Sequence, residues 1–236
     1  FNQIYENSIK NPEEFWKDIS EDIFWFKKPT KILNKSNHPF YKWYEDGITN
    51  TCYNALDHHI DEGKGEKIAL IYDSPITGNK AKFTFNQLKE KVSKFAGALD
   101  DIGIKKGDRV IIYMPMIPEA VVAMLACGRV GAIHSVVFGG FASNELASRI
   151  DDSKAKLLIT ASCGFEPGRT IEYRPLIDGA LKLANHKIEK VIFFQRKGYE
   201  INLYAPLEIS WDEALSNAKN KDCVEMGSND FAYILY

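Results

Sequence analysis

The sequence has few of the features that mark membrane, extracellular and nucleic-acid-binding proteins. Only four of its 236 residues are cysteine, and no two of them form a C-x-x-C pair, which argues against a zinc site or a disulfide framework and favours a reducing compartment. No apolar run approaches the roughly 20 residues that cross a bilayer. Because 30 basic residues face 32 acidic ones, no basic surface for nucleic acid is expected. These absences predict a soluble cytoplasmic protein that binds neither membranes nor nucleic acids.

Short motifs of nucleotide-binding proteins and hydrolases are also missing. There is no G-x-x-x-x-G-K-[ST] loop, no G-x-G-x-x-G after a strand and no G-x-S-x-G elbow. Cys127 lies in an apolar helical run, where a buried structural thiol is expected. The adjacent His58 and His59 cannot both face one metal ion from a helix. The residues alone therefore indicate no catalytic centre.

Residues 1–62 are rich in aromatic side chains and lack strand periodicity. Asn11 followed by Pro12 predicts a helix start, with Asn as the cap and Pro at the first helical position. A second helix is predicted from Cys52. We interpret residues 1–62 as a helical, aromatic-rich N-terminal arm that wraps a larger body, residues 63–236.

The sequence of the body predicts alternating strands and helices. A hairpin over residues 67–85 precedes a helix capped by Thr84, and a later helix is predicted to be capped by Ser143. Between and after the helices lie short apolar runs typical of buried parallel strands: Arg109–Tyr113, Ala132–Phe138, Lys156–Thr160 and Lys190–Phe194. These repeated β-α-β units predict an α/β fold with a mostly parallel, doubly wound sheet flanked by helices.

Two segments that follow predicted strands are candidate binding sites, because ligands of open α/β sheets bind beyond the carboxyl ends of the strands. Gly139 and Gly140 precede a helix and could present backbone N–H groups to an anion. A glycine pair at such a turn also serves close packing. The second segment, 161–169, is predicted to be a loop with a turn at Pro167 and Gly168. Its arginine, Arg169, suits phosphate but equally suits a surface ion pair.

Longer stretches closely resemble one family, the AMP-forming acetyl- and propionyl-CoA synthetases. The resemblance lies in Gly107–Cys127, in Gly131–Ala142, and in the arm at Asn11–Trp16 and Thr51–His59. It covers essentially the whole chain. It implies the incomplete N-terminal domain of an adenylate-forming enzyme: an arm, then the first part of an AMP-binding domain.

The resemblance also implies a coenzyme A loop, made of Gly164, Glu166, Pro167, Gly168 and Arg169. In the family, arginines of this loop reach the phosphates of the CoA nucleotide. Acetyl-CoA synthetases typically carry a second arginine where this chain has Glu166. The loop therefore resembles the propionate–CoA ligase branch. CoA binding is then expected to depend on Arg169, with Arg174 or lysines as further candidate contacts. The alternative is that the Glu166 side chain turns away from the phosphate.

The family joins a short carboxylate to CoA through an acyl-adenylate, using ATP and Mg²⁺ and releasing AMP and pyrophosphate. Its phosphate-holding loop follows a strand that Tyr233–Tyr236 resembles, so the resemblance implies catalytic residues beyond Tyr236. It also implies an inactive fragment that binds CoA weakly at most.

Other functions stay open at this point. One alternative is a non-catalytic module that binds CoA or a nucleotide. Another is a homo-oligomerisation module that uses the aromatic arm around Trp16, Trp25 and Trp43, whose rings could equally cover the sheet domain. A targeting peptide for the mitochondrion, and the choice among acetate, propionate and butyrate, are also left open.

Overall fold

The computed structural model describes residues 1–236, with seven α-helices and thirteen short or regular strands. The helices are α1 Asn2–Lys10, α2 Pro12–Ile19, α3 Phe85–Asp101, α4 Pro118–Val130, α5 Ser143–Ser153, α6 Tyr173–Leu183 and α7 Trp211–Leu215. The strands are β1 Leu33–Asn34, β2 Lys42–Trp43, β3 Ile48–Thr49, β4 Ile68–Asp73, β5 Lys80–Thr84, β6 Arg109–Met114, β7 Ile133–Phe138, β8 Leu157–Ala161, β9 Cys163–Glu166, β10 Arg169–Glu172, β11 Lys190–Phe194, β12 Glu208–Ser210 and β13 Met226–Gly227. A 3₁₀ turn at Ser20–Asp22 and two π-helical stretches, Tyr53–Asp57 and Ile60–Lys64, complete the structure.

The centre of the body is a five-stranded sheet in the order β12-β11-β8-β6-β7, with every neighbouring pair parallel. The two central strands, β6 and β8, are buried almost throughout, as expected where helices cover both faces of a parallel sheet. The last residues continue this pattern, because Tyr233 forms a parallel bridge with His134 of β7. The predicted parallel α/β sheet is confirmed.

The chain winds in both directions across this sheet. From β6 it crosses through α4 to β7 on one side, and from β7 it returns through α5 to β8 on the other side of β6. Because such crossovers are right-handed, α4 and α5 must cover opposite faces. Accordingly α3 packs on α4, and α5 packs on α6. The direction of winding changes between β6 and β8, which makes this the topological switch point of the sheet.

The helix caps test the local predictions individually. Thr84 caps α3 as predicted, in a capping box: the Gln87 N–H donates to Thr84 Oγ1 and the Thr84 N–H donates to Gln87 Oε1. The prediction for Ser143 is wrong. Ala142 occupies the cap position of α5, and the Ser143 hydroxyl donates instead to the Leu176 carbonyl of α6 at 2.8 Å.

The arm begins as predicted but is capped differently. The helix α2 starts at Pro12, yet the Asn11 side chain makes no cap hydrogen bond and donates to Asn7 Oδ1 at 3.0 Å. The arm's tryptophans pack mainly on aromatic neighbours within the arm: Trp16 contacts Trp43, and Trp25 contacts Tyr44. None of the helices combines the length and apolar character needed to cross a bilayer.

A buried ion pair ties the arm to the body. The Asp57 carboxylate accepts from both terminal nitrogens of Arg129 in α4, at 2.6 and 3.0 Å, and Lys89 of α3 lies 2.9 Å from the same carboxylate. Only 1% of the Arg129 side chain and 6% of the Asp57 side chain are exposed. This arrangement pairs two buried charges with bidentate geometry. It also fixes the π-helical stretch Tyr53–Asp57 of the arm against α3 and α4 of the body.

Candidate functional site

A cleft opens at the switch point, beyond the carboxyl ends of β6 and β8. It has a volume of about 290 Å³, and its walls include Pro115–Ile117 after β6 and Gly164–Glu166 after β8. The turn between β4 and β5, Asp73–Thr77, forms a further wall. This is the position at which open α/β sheets bind ligands.

Tyr173 brings the two predicted glycine segments together in this cleft. Its ring is 1% exposed, and its hydroxyl lies so close to both that a Cβ would stand 2.2 Å from it at Gly139 and 2.7 Å from it at Gly164. Both distances are too short for any side chain, so both positions require glycine for packing. The structure therefore places Gly139 and Gly164 around one buried tyrosine.

Gly140 uses its backbone N–H within the fold. Its φ of +106° is in a region that favours glycine, and its N–H donates to the Tyr113 hydroxyl at 3.0 Å. That hydroxyl donates to the Phe141 carbonyl at 2.8 Å. The Gly140 N–H is thus already engaged, and an anion-binding role for Gly139 and Gly140 stays a prediction.

The segment after β8 is a β-hairpin, so its prediction as a loop is wrong. Strands β9 and β10 pair in antiparallel register from Cys163–Glu172 to Glu166–Arg169. Pro167 and Gly168 form the two-residue connection, and Gly168 has φ +74°. Proline followed by a residue with positive φ is typical of a type II turn, and it places Glu166 and Arg169 opposite each other at the tip.

Glu166 and Arg169 form an ion pair at this tip, 2.7 Å between Arg169 Nη2 and Glu166 Oε2. Both side chains are exposed, by 43% and 68% respectively, so the pair is weak and easily exchanged. Arg174 is engaged elsewhere: it contacts both carboxylate oxygens of Glu208 and the Asn202 carbonyl. Of the two predicted arginines, only Arg169 lines the region beside the cleft.

Arg196 is a cleft residue that the sequence analysis missed. Its residue surface is only 8% exposed, its guanidinium lies 4.8 Å from the centre of the Phe165 ring, and it makes no ion pair or side-chain hydrogen bond. Its backbone N–H donates to the Ser162 hydroxyl at 2.8 Å, which fixes the residue beside the hairpin. A Gln-Arg-Lys run directly after the predicted strand Lys190–Phe194 was the available signal.

Arg196 also joins the cleft to an open groove of about 790 Å³ that Arg169 and Lys197 line. Three cations at the carboxyl edge of the sheet give this region a positive character, opposed by Glu166 alone among the lining acids of the groove. The Arg196 guanidinium has no partner in the chain and lines both the cleft and the groove, so its planar fork is available to an anionic ligand.

The buried thiol and phenols in and beside the cleft are not activated. Burial raises the pKa of Cys163 and likewise the pKa of Tyr113 and of Tyr173, so these groups stay protonated at neutral pH. None of the three is therefore suited to act as a base or nucleophile at neutral pH.

A parallel, doubly wound sheet with a cleft at its switch point and a cationic groove beside it is the architecture of a ligand-binding α/β domain. The model of the AMP-binding enzyme family matches residues 56–236, and the model of the acetyl-coenzyme A synthetase N-terminus matches residues 1–55. The chain therefore belongs to the AMP-binding enzyme family, and it carries the N-terminal region of the acetyl-coenzyme A synthetases.

Its relatives are considerably longer than the chain. It is 52% identical over 97% of its length to acyl-CoA synthetase short-chain family member 3, mitochondrial, from Homo sapiens, and spans 34% of that protein. It is 42% identical over its whole length to acetyl-coenzyme A synthetase from Xylella fastidiosa, and spans 37% of it. Among solved structures, acetoacetyl-CoA synthetase from Streptomyces lividans has the same fold, with a TM-score of 0.86 at 22% identity over 98% of this chain and 35% of that one.

Proposed function

We propose that the chain is the N-terminal part of an AMP-forming short-chain acyl-CoA synthetase. The whole protein would convert a short carboxylate, ATP and CoA to acyl-CoA, AMP and pyrophosphate through an acyl-adenylate. The observation that carries this proposal is the unpaired Arg196 in a switch-point cleft of a chain whose relatives are named as acyl-CoA synthetases.

In this proposal the hairpin β9–β10 and Arg196 hold the phosphates of the CoA nucleotide. Arg196 offers a fixed guanidinium, whose planar fork suits phosphate oxygens. Arg169 can join it only by leaving Glu166, whose carboxylate repels phosphate at the same tip. CoA binding would thus depend first on Arg196 and second on Arg169.

The residues that line the cleft and the groove do not form a binding site for Mg²⁺. This ion prefers several oxygen ligands, carboxylates above all, and the acids lining the cleft and groove are Asp73 and Glu166, one of them paired with Arg169. We therefore assign no residue of this chain to Mg²⁺. The ATP phosphates and the catalytic groups are proposed to lie beyond Tyr236, so the chain alone would be inactive and would bind CoA weakly.

The domain division and the substrate are part of the same proposal. Residues 1–62 form the arm, and residues 63–236 form the first part of the AMP-binding domain. Glu166 in the place of a second arginine favours a propionate–CoA ligase over an acetate ligase. The scattered cysteines favour the cytoplasm, while the human relative is named as mitochondrial.

The test is carboxylate-dependent exchange of pyrophosphate into ATP, measured for the full-length protein beside the 236-residue chain. Acetate, propionate and butyrate are compared at equal concentration. We expect exchange by the full-length protein only, fastest with propionate. Exchange with none of the acids would contradict the reaction, and exchange fastest with acetate would contradict the branch.

A further inference from the structure

Two of the four cysteines lie side by side where the arm meets the body. Cys52 directly precedes the π-helical stretch Tyr53–Asp57 of the arm, and Cys223 lies in the segment before β13. Their sulfur atoms and a carboxylate oxygen of Asp57 all lie within 4.8 Å of one another. Cys52 is 1% exposed, whereas Cys223 is half-buried and lines a surface cleft of about 230 Å³.

The fold holds the two segments in this relation. The buried Asn50 side chain donates to the Val224 carbonyl at 2.8 Å, and its Oδ1 accepts from the Cys52 N–H at 2.8 Å. The Val224 N–H in turn donates to the Arg129 carbonyl at 2.9 Å. One asparagine thus binds Cys52 itself and the residue after Cys223, so the approach of the two cysteines is built into the packing of arm on body.

The charges around the pair make the two sulfurs unequal. Arg129 Nη1 lies 3.7 Å from Cys52 Sγ, and Cys223 Sγ lies 3.9 Å from Asp57 Oδ2. The neighbouring Cys223 and the charge of Arg129 lower the pKa of Cys52 despite burial, whereas the neighbouring Cys52 and burial raise the pKa of Cys223. Of the two thiols, Cys52 therefore loses its proton more readily.

We propose that Cys52 and Cys223 form a redox modification site, at which a hydroperoxide converts the two thiols to one disulfide. A hydroperoxide that enters the surface cleft at Cys223 is attacked by the thiolate of one sulfur of the pair, the O–O bond breaks, and the oxygen that leaves takes a proton and departs as water or an alcohol. The other sulfur then attacks the resulting sulfenic acid. The S–S bond forms, the S–O bond breaks, and hydroxide leaves with the proton of the second thiol as water. The sulfurs lose two electrons, and the peroxide gains them.

A disulfide fits this place better than a metal ion does. The third ligand atom would come from Asp57, which Arg129 and Lys89 already bind, and the guanidinium beside Cys52 repels a cation. In the disulfide the sulfurs stand about 2.05 Å apart, so the two side chains rotate toward each other. The bond joins the arm to the body and closes a long loop of chain, which restricts the unfolded state.

The test maps disulfides in the purified full-length protein after brief treatment with hydrogen peroxide. Free thiols are alkylated, the protein is digested with trypsin without reduction, and the peptides are weighed. We expect loss of both free thiols and one linked species, which joins the peptide from Trp43 to Lys64 with the peptide that begins at Asp222. Its mass is the sum of the two less two hydrogen atoms, and reduction by a dithiol separates it.

Two variants control this experiment. Cys163→Ser removes a buried thiol elsewhere and should leave the linked species unchanged, while Cys52→Ser should abolish it and leave Cys223 free for alkylation. The proposal is overturned if both thiols are alkylated after peroxide treatment, if Cys52 is found as sulfinic acid without the link, or if Cys223 links to a second protein molecule. If Cys52→Ser does not fold, the disulfide map of the peroxide-treated wild-type protein tests the proposal by itself.

Discussion

At the residue scale, the hairpin tip places one carboxylate where the proposed ligand carries phosphate. Glu166 and Arg169 neutralise each other across the turn, and both are exposed to solvent. Their pairing lowers the affinity for CoA in two ways. Arg169 must leave Glu166 before it can bind the phosphate, and the Glu166 carboxylate repels the phosphate. The tip of β9–β10 should therefore limit the affinity for CoA.

We expect Glu166→Gln in the full-length protein to lower the KM for CoA by up to about fivefold, as for the loss of one exposed charge interaction of up to about 1 kcal/mol. The effect should shrink at high salt, because exposed charges are screened. Steady-state kinetics with varied CoA measure it. Glu172→Gln, which removes an equal charge from the same hairpin, should change the KM little. An unchanged or higher KM for Glu166→Gln would count against the phosphate role of the tip.

Single residues also mark the limits of prediction from sequence. The positions of Gly139, Gly164 and Arg169 could be predicted from their place after buried strands. Arg196 could not, because its burial depends on β11 lying beside β8 and on Phe165 covering its guanidinium. Ser143 failed as a cap because α6 offers its hydroxyl a carbonyl that only the folded chain brings near.

At the element scale, a buried ion pair is one of the contacts that attach the arm to the body, beside the pairing of β3 with β13. Asp57 receives hydrogen bonds from Arg129 of α4 and lies against Lys89 of α3. Burial alone would raise the pKa of Asp57, but the hydrogen bonds from Arg129 and Lys89 bring it below its ordinary value. The folded chain thus binds the Asp57 proton less tightly than the unfolded chain does. Its contribution to stability is complete above a carboxyl pKa of about 3.9 and is lost as the pH falls through the folded-state pKa.

We expect Arg129→Leu to lower the free energy of unfolding by about 3–5 kcal/mol, since it leaves a buried carboxylate without its main partner. The acid-unfolding midpoint should also move to higher pH, because burial then dominates the pKa of Asp57. Urea and acid titrations followed by tryptophan fluorescence measure both. In the double variant with Asp57→Leu, the loss should be smaller than in the single variant. Equal losses would show that cavity formation at Arg129, rather than charge, carries the effect.

The elements themselves were largely predictable, and the exceptions have physical causes. Apolar β-branched runs such as Arg109–Tyr113 identify buried parallel strands, and the capping sequence at Thr84 identifies the start of α3. The hairpin β9–β10 was predicted as a loop because Gly164, Pro167 and Gly168 all disfavour strands. Pairing across the turn and packing on Tyr173 override these preferences in the folded chain.

At the scale of the whole molecule, the order of strands converts separate segments into one site. The change of winding direction between β6 and β8 opens the cleft, and the parallel arrangement puts the ends of β8 and β11 at the same edge. Parallel strands and crossovers could be predicted from the sequence, but the strand order could not, since it depends on contacts between distant segments. The switch point, and with it the place of the cleft, is a property of the folded chain.

The most direct measurement of the central claim is the KM for CoA of full-length Arg196→Met, compared with Arg196→Lys. We predict a rise of at least about tenfold for Arg196→Met, near 1.4 kcal/mol in CoA binding, and a smaller rise for Arg196→Lys, which keeps the charge but loses the planar fork. Pyrophosphate exchange, measured without CoA, should weaken far less than CoA-dependent turnover. An unchanged KM, or equal losses in exchange and turnover, would contradict the assignment of the cleft to CoA.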